Sequence, residues 1–328
     1  MKKIISTIST LSTICIITLI LTLTGCQGNK DKITVVLDWT PNTNHTGMYV
    51  ALEKGWYKDA GLDVEIIQPP EDGAMALVAS NKAQFGVSVQ EEIAAALSAD
   101  NPLEVTAIAS IVDHNTSGLI SAKGKNIVTL KDLMGKKYAT WDMPIEKAIL
   151  KDVVTLDGGD FSKVNLIPST VTNVLAAIES DIDAVWIFYG WDGIAAELNK
   201  VPVNYIAFKD INPVLDYYTP VLVSSDAFIS ENPETVKKFL EATQKGYEYA
   251  ISEPRKSADI LLKHAPEIDK ELAYKSQEYL STQYKAEKPS WGTFDKDRWT
   301  GFFNWLYDNK LIEKNLQSKG FTNDYLPQ

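Results

Sequence analysis

The sequence predicts an α/β protein of two lobes with mostly parallel sheets and a helical C-terminal region. Three observations predict it. Short β-branched runs alternate with amphipathic helical stretches, as parallel sheets with crossover helices require. Ala76–Val87 and Leu175–Ile187 repeat one plan: a helix end, a polar turn and a strand with polar or aromatic residues at its C-terminal tip. Two related lobes account for that repeat, although helix–turn–strand units also recur in unrelated α/β chains. The chain of 328 residues is also longer than one hydrophobic core usually serves.

The elements follow in order. Lys2 and Lys3 precede an apolar and hydroxylic run, Ile4 to Leu23, and then Leu23-Thr24-Gly25-Cys26. A charged start, an apolar middle and small residues form a secretory leader, expected over residues 1–25. Gly-Cys at its end resembles a bacterial lipobox, so Cys26 is expected to carry lipid and residues 26–31 to form a polar tether. A membrane-spanning anchor is the alternative. Lys32–Leu37 reads as a buried strand, Asp38–Asn44 as a turn, and Thr46–Lys54 as a helix stopped by Gly55. Further strands are expected at Asp63–Ile67, Gln84–Val89, Lys137–Thr140 and Ala184–Ile187. Helices are expected at Pro233–Ile251, Lys256–His264, Lys270–Thr282 and Asp295–Leu306. With crossings near Gly118 and Tyr218, lobe 1 takes residues 32–117 and 221–328, and lobe 2 takes 118–220.

Composition narrows the function. The two cysteines are Cys15, inside the leader, and Cys26, so the folded part offers no disulfide, thiolate nucleophile or cysteine metal site. His45, His114 and His264 are too scattered for a zinc site, and no metal is expected. Loss of Lys2 and Lys3 with the leader takes the formal charge from −11 to −13. Such an acidic surface disfavours nucleic acid and anionic lipid. A monomer is expected.

The run Leu37-Asp38-Trp39-Thr40-Pro41-Asn42-Thr43-Asn44-His45-Thr46-Gly47-Met48-Tyr49-Val50-Ala51, with Gly55-Trp56-Tyr57 and Ala60-Gly61-Leu62-Asp63-Val64, resembles the substrate-binding proteins for thiamin pyrimidine precursors. That family is shared with the fungal thiamin pyrimidine synthases. The resemblance extends over essentially the whole chain after the leader. It implies a type II periplasmic binding protein fold, two lobes on a two-stranded hinge, and a lipoprotein on the outer face of the membrane. It further implies delivery of an aminopyrimidine to the permease of an ABC importer, without a cofactor or catalysis.

A 4-aminopyrimidine is flat, so aromatic faces suit it, and its amine beside a ring nitrogen forms a donor–acceptor edge that a carboxyl or amide group can meet. Candidates lie at strand tips, where α/β sheets bind ligands. Asp38 and Trp39 follow the first strand, with Asn42 and His45 just beyond. Gln90, Glu91 and Glu92 follow the strand ending at Val89, and of these Glu92 is the candidate. Trp141 and Asp142 follow Thr140. Phe188, Tyr189, Trp191 and Asp192 follow Ile187. The expected ligand set is Asp38, Trp39, Asn42, His45, Glu92, Trp141, Tyr189, Trp191 and Asp192.

Structural alternatives exist for several. Asp38 and Asp192 could cap helices, His45 could be a satisfied core histidine, and Glu91-Glu92 could be a solvated face. Trp56, Tyr57, Trp186, Trp291, Trp299 and Trp305 read as packing residues, while Tyr217 and Tyr218 line the cleft or brace the hinge.

Two rival functions meet residues that do not suit them. In the synthases, the resemblance places a cofactor-holding lysine at position 88 and a histidine at position 92. Here those are Ser88 and Glu92, no cysteine lies near Tyr217-Tyr218-Thr219-Pro220, and a hydroxyl cannot form a Schiff base. Anion receptors use arginine forks. The two arginines, Arg255 and Arg298, fall in the helical C-terminal region, outside the expected cleft. Another flat heterocycle such as riboflavin remains the alternative ligand.

Overall fold

The computed structural model describes residues 32–70, 73–169 and 171–327. The expected leader, the expected lipid site Cys26 and the expected tether lie outside the described residues. Among the described residues no helix is long and apolar enough to cross a membrane.

Among the described residues ten strands form two mixed sheets of five. The first sheet contains β1 (Lys32–Val36), β2 (Asp63–Ile67), β3 (Phe85–Ser88), β4 (Val105–Ser110) and β10 (Val221–Ser225), in the order β2-β1-β3-β10-β4. The second contains β5 (Ser117–Ala122), β6 (Lys137–Thr140), β7 (Asn165–Pro168), β8 (Ala184–Phe188) and β9 (Val203–Ala207), in the order β7-β6-β8-β5-β9. The repeat read from the sequence occupies equivalent places. Helix Met75–Ala79 leads into β3 and helix Val174–Glu179 into β8, the central strand of each sheet. Each central strand has a parallel neighbour on one side and an antiparallel neighbour on the other.

Those registers decide where the strand tips point. The chain leaves the first sheet after Ser110 and enters the second at Ser117, then returns between Ala207 and Val221. Val221 pairs with Ser88, the last residue of β3, and with Ser110, the last of β4. Ser117 pairs with Phe188, the last residue of β8. Both crossings therefore attach at the carboxyl edges of the parallel strands, and those two edges face each other across the hinge.

The helix after the first turn, Thr46–Glu53, is seated by close approach to helix Pro233–Ser252. A Cβ on Gly246 would stand 1.9 Å from the Gly47 carbonyl oxygen, and one on Gly47 would stand 2.3 Å from the Tyr247 ring. Only glycine at both positions lets these backbones meet. Helix Pro233–Ser252 buries Val236, Phe239, Leu240, Thr243, Tyr247 and Ala250, one apolar stripe at three- and four-residue spacing. Phe239 stacks on Phe85 of β3 at 3.8 Å and on Tyr57 at 5.3 Å. Tyr57, Trp291 and Trp299 are fully buried, and Trp186 nearly so. They pack as the sequence indicated.

The hinge is held by ions. Asp113, fully buried on the outgoing crossing, accepts from Arg298 Nη2 at 2.7 Å and from Lys288 Nζ at 2.5 Å. Arg298 Nη1 reaches Asp216 on the return crossing at 3.1 Å, and its guanidinium lies 4.0 Å over the Tyr218 ring. Arg298 lies on the C-terminal helix Lys296–Asp308, in the region expected, and from there its guanidinium reaches the hinge, with its charge consumed by two carboxylates. Tyr217 and Tyr218 brace the same point. Both are buried, Tyr217 stacks on Phe302 at 4.0 Å, and the Tyr218 hydroxyl accepts from the Asp295 N–H at 2.7 Å.

Candidate functional site

On the lobe 1 side, Asp38 leaves β1 and accepts from His45 Nε2 at 2.7 Å. His45 Nδ1 accepts from the Asn42 N–H at 3.1 Å, so the proton resides on Nε2 and the imidazole is neutral. His45 is fully buried with both ring nitrogens engaged. It orients Asp38 and does not present itself to a ligand. Asn42 is likewise spent on its own loop, since its Oδ1 accepts from the Asn44 N–H and its Nδ2 donates to Thr40 O. Asp38 caps no helix. Trp39 projects outward and is 63% exposed.

Glu92 sits beside this turn in the first turn of helix Gln90–Ser98, and Ser88 Oγ donates to its Oε2 at 2.7 Å. Loss of hydration pushes the Glu92 carboxyl up from its ordinary range, and the charge on Asp38 adds to the effect. Its neighbour Glu91 is more extreme. Burial pushes it to about 8, Tyr217 OH donates to its Oε1 at 3.2 Å, and its buried Oε2 has no partner among the described residues. Gln90 serves structure, bonding the Tyr218 N–H and the Trp299 carbonyl.

On the lobe 2 side, Trp141 is 44% exposed and its ring lies 5.9 Å from that of Trp186, which backs it from within the sheet. The segment after β8 is a π-helical turn, Tyr189–Gly193, continuing into helix Ile194–Leu198. Such turns are rare and concentrate at functional sites. Trp191 and Asp192 are half-buried on it. Asp192 has no helix-capping hydrogen bond, and burial pushes its carboxyl up to about 6. Tyr189 departs from expectation. Its ring packs against Tyr205 at 4.8 Å and Tyr279 at 5.3 Å, and its hydroxyl donates to Glu197, so its faces are largely used by protein.

Among the described residues, Asp113, His114 and Glu287 bring ligand atoms close enough for a metal ion. Lys288 and Arg298 already supply positive charge to Asp113 there. Hence the arrangement reads as a hinge ion network.

The facing strand tips and exposed indoles define the architecture against which known proteins are compared. Residues 42–257 match the model described as NMT1/THI5 like. The chain belongs to that family. It is 30% identical over 317 residues to the formylaminopyrimidine-binding protein of Halalkalibacterium halodurans, covering 90% of this chain and 92% of that one. It is 28% identical over 267 residues to a 4-amino-5-hydroxymethyl-2-methylpyrimidine phosphate synthase of Saccharomyces cerevisiae, covering 75% and 74%. In structure it is similar to the periplasmic aliphatic sulphonate binding protein SsuA of Escherichia coli, with a TM-score of 0.68, 15% identity and coverage of 91% and 94%. It is also similar to the periplasmic nitrate-binding protein NrtA of Synechocystis, with a TM-score of 0.67, 12% identity and coverage of 90% and 87%. The fold of this NMT1/THI5-like protein is thus the two-lobed α/β fold of periplasmic binding proteins.

Three residues near the site were not singled out from the sequence. Glu91 is hidden because two adjacent glutamates look like a solvated face. Thr43 lies within the opening motif but was given no role of its own, Ser276 belongs to no motif, and their place emerges only when the C-terminal helices pack against both turns.

Proposed function

We propose that this NMT1/THI5-like protein is the solute-binding component of an ABC importer and that it captures a planar aminopyrimidine between its lobes. The observation that carries this reading is the pairing of exposed indoles, Trp39 and Trp141, with two strand-tip carboxyl groups, Glu92 and the half-buried Asp192, that form no ion pair among the described residues. A carboxyl with a raised pKa shares a proton with a basic ring nitrogen more readily, and its two oxygens then act as one donor beside one acceptor. That pair matches the ring nitrogen and exocyclic amine of a 4-aminopyrimidine. The indoles offer faces to the ring, and closing the hinge removes water from both contacts. Lipid on Cys26 holds the receptor outside the membrane beside its permease.

A binding role is favoured over synthesis by Ser88 and Glu92. Where the synthases carry lysine and histidine, these two are hydrogen-bonded to each other, and a buried hydroxyl so engaged cannot hold an aldehyde cofactor. The relative that binds formylaminopyrimidine supports the same ligand class. Titration calorimetry with 4-amino-5-hydroxymethyl-2-methylpyrimidine, its formylamino analogue and riboflavin tests the proposal. Saturable heat with the pyrimidines and none with riboflavin is expected. Binding of riboflavin alone, or conversion of a bound pyrimidine, overturns it.

A further inference from the structure

Helix Lys270–Ser281 packs on the lobe 1 helix Pro254–His264 and also reaches the lobe 2 segment Tyr189–Leu198. At the meeting point Ser276 is fully buried. Its hydroxyl donates to the Gly190 carbonyl, in the π-helical turn that carries Trp191 and Asp192. That proton assignment fixes the next. The Thr43 hydroxyl, 2.6 Å away and also buried, must donate to Ser276 Oγ. Thr43 belongs to the turn between Trp39 and His45, and its own carbonyl accepts from the buried Tyr284 hydroxyl at 2.6 Å. The result is a directional chain from the C-terminal region through the lobe 1 loop to the lobe 2 loop, in which the Tyr284 hydroxyl also lies 3.2 Å from Gln277 Oε1. Gly190 is tightly enclosed there, since a Cβ would stand 3.0 Å from Leu280.

We propose that Ser276 is a positioning residue that ties the two ligand-carrying loops to one point, so that the turn 39–45 and the turn 189–193 are ordered together. The tie itself follows from the geometry; its effect on affinity rests on the reading under Proposed function. Hydrogen exchange of the full chain, without ligand, tests the tie. In Ser276→Ala, amides of both turns should exchange roughly fivefold faster or more, the loss of about one buried hydrogen bond. Thr43→Val keeps the shape and drops the donor. It should speed exchange at Thr43–His45 and leave Gly190–Asp192 protected by the remaining Ser276 bond. Unchanged exchange in both turns, or a change confined to helix Lys270–Ser281, overturns the tie. Should Ser276→Ala fail to fold, Thr43→Val decides by the same measurement, unchanged exchange at Thr43–His45 being the refuting result. A calorimetric arm separates the two readings. Weaker binding of 4-amino-5-hydroxymethyl-2-methylpyrimidine by Ser276→Ala, with wild type binding well, supports the effect on affinity, and equal binding overturns that effect. No pyrimidine binding by wild type, with the exchange result intact, removes the ligand assignment and leaves the tie standing.

Discussion

Replacing Glu91 with glutamine should make the protein more stable at pH 8 while leaving it nearly unchanged at pH 5. Burial pushes this carboxyl from its ordinary 4.5 to about 8 in the folded protein. Below about pH 4 both folded and unfolded chains are protonated, and the shift contributes nothing. Between those values the folded chain keeps a proton that the unfolded chain has lost, so stability falls as pH rises and levels off above pH 8. The full shift corresponds to about 5 kcal/mol at 1.36 kcal/mol per pH unit. Water entering from the cleft reduces this to about 2–3 kcal/mol. Glutamine mimics the protonated acid: its oxygen can still accept from Tyr217 OH, and its NH2 replaces the unpartnered Oε2. Urea unfolding of wild type and Glu91→Gln at pH 5, 6.5 and 8 reads the difference directly. His114, which Asp216 also pushes up, titrates in both proteins and cancels. A difference that stays flat from pH 5 to pH 8 would refute the argument that Glu91 is held protonated at the hinge.

Arg298→Met removes the guanidinium shared by Asp113 and Asp216 and strands the buried Asp113 with Lys288 alone; a loss of about 3 kcal/mol lowers the melting temperature by about 5 °C, read by calorimetry. His45→Ala frees Asp38, opens a cavity and strands the Asn42 N–H, costing about 2–4 kcal/mol, measurable by urea unfolding. Trp39→Ala, at a 63% exposed position, should leave stability within about 0.5 kcal/mol of wild type and weaken pyrimidine binding at least tenfold, as followed by titration calorimetry. Glu92→Ala should weaken the same binding by about tenfold through loss of one charged or acid hydrogen bond, read by the same titration.

Much of the architecture could be read from residue patterns. Val35 and Val36 in β1, and the stripe from Val236 to Ala250, announce their elements because burial and period coincide along a single segment. The strand tips are legible for the same reason: a β-branched run that stops at Asp38 marks the end of β1. What each tip side chain does was less legible, because it depends on partners far away in sequence. Asn42 and His45 belong to a recognisable motif, yet their donors and acceptors are consumed within the turn. Tyr189 looked like a free ring until Tyr279, ninety residues later, was found against it. Arg298 reads from the sequence as part of a C-terminal helix, and nothing local indicates that Asp113 and Asp216 converge on it. Glu91 shows the opposite failure, since a pair of acids hides which one is turned inward.

The two sheets differ in how the chain supplies them. The second is made wholly from residues 117–207, one continuous stretch, whereas the first needs residues 32–110 and then waits for Val221–Ser225 to insert between β3 and β4. Contacts of long sequence separation close slowly. During synthesis or refolding the lobe that departs second should therefore mature first, and the other keeps an open seam until the return strand fills it. A kinetic intermediate with 117–207 protected and 85–110 still exchanging is the footprint of that order, and the unfilled seam is where aggregation would begin.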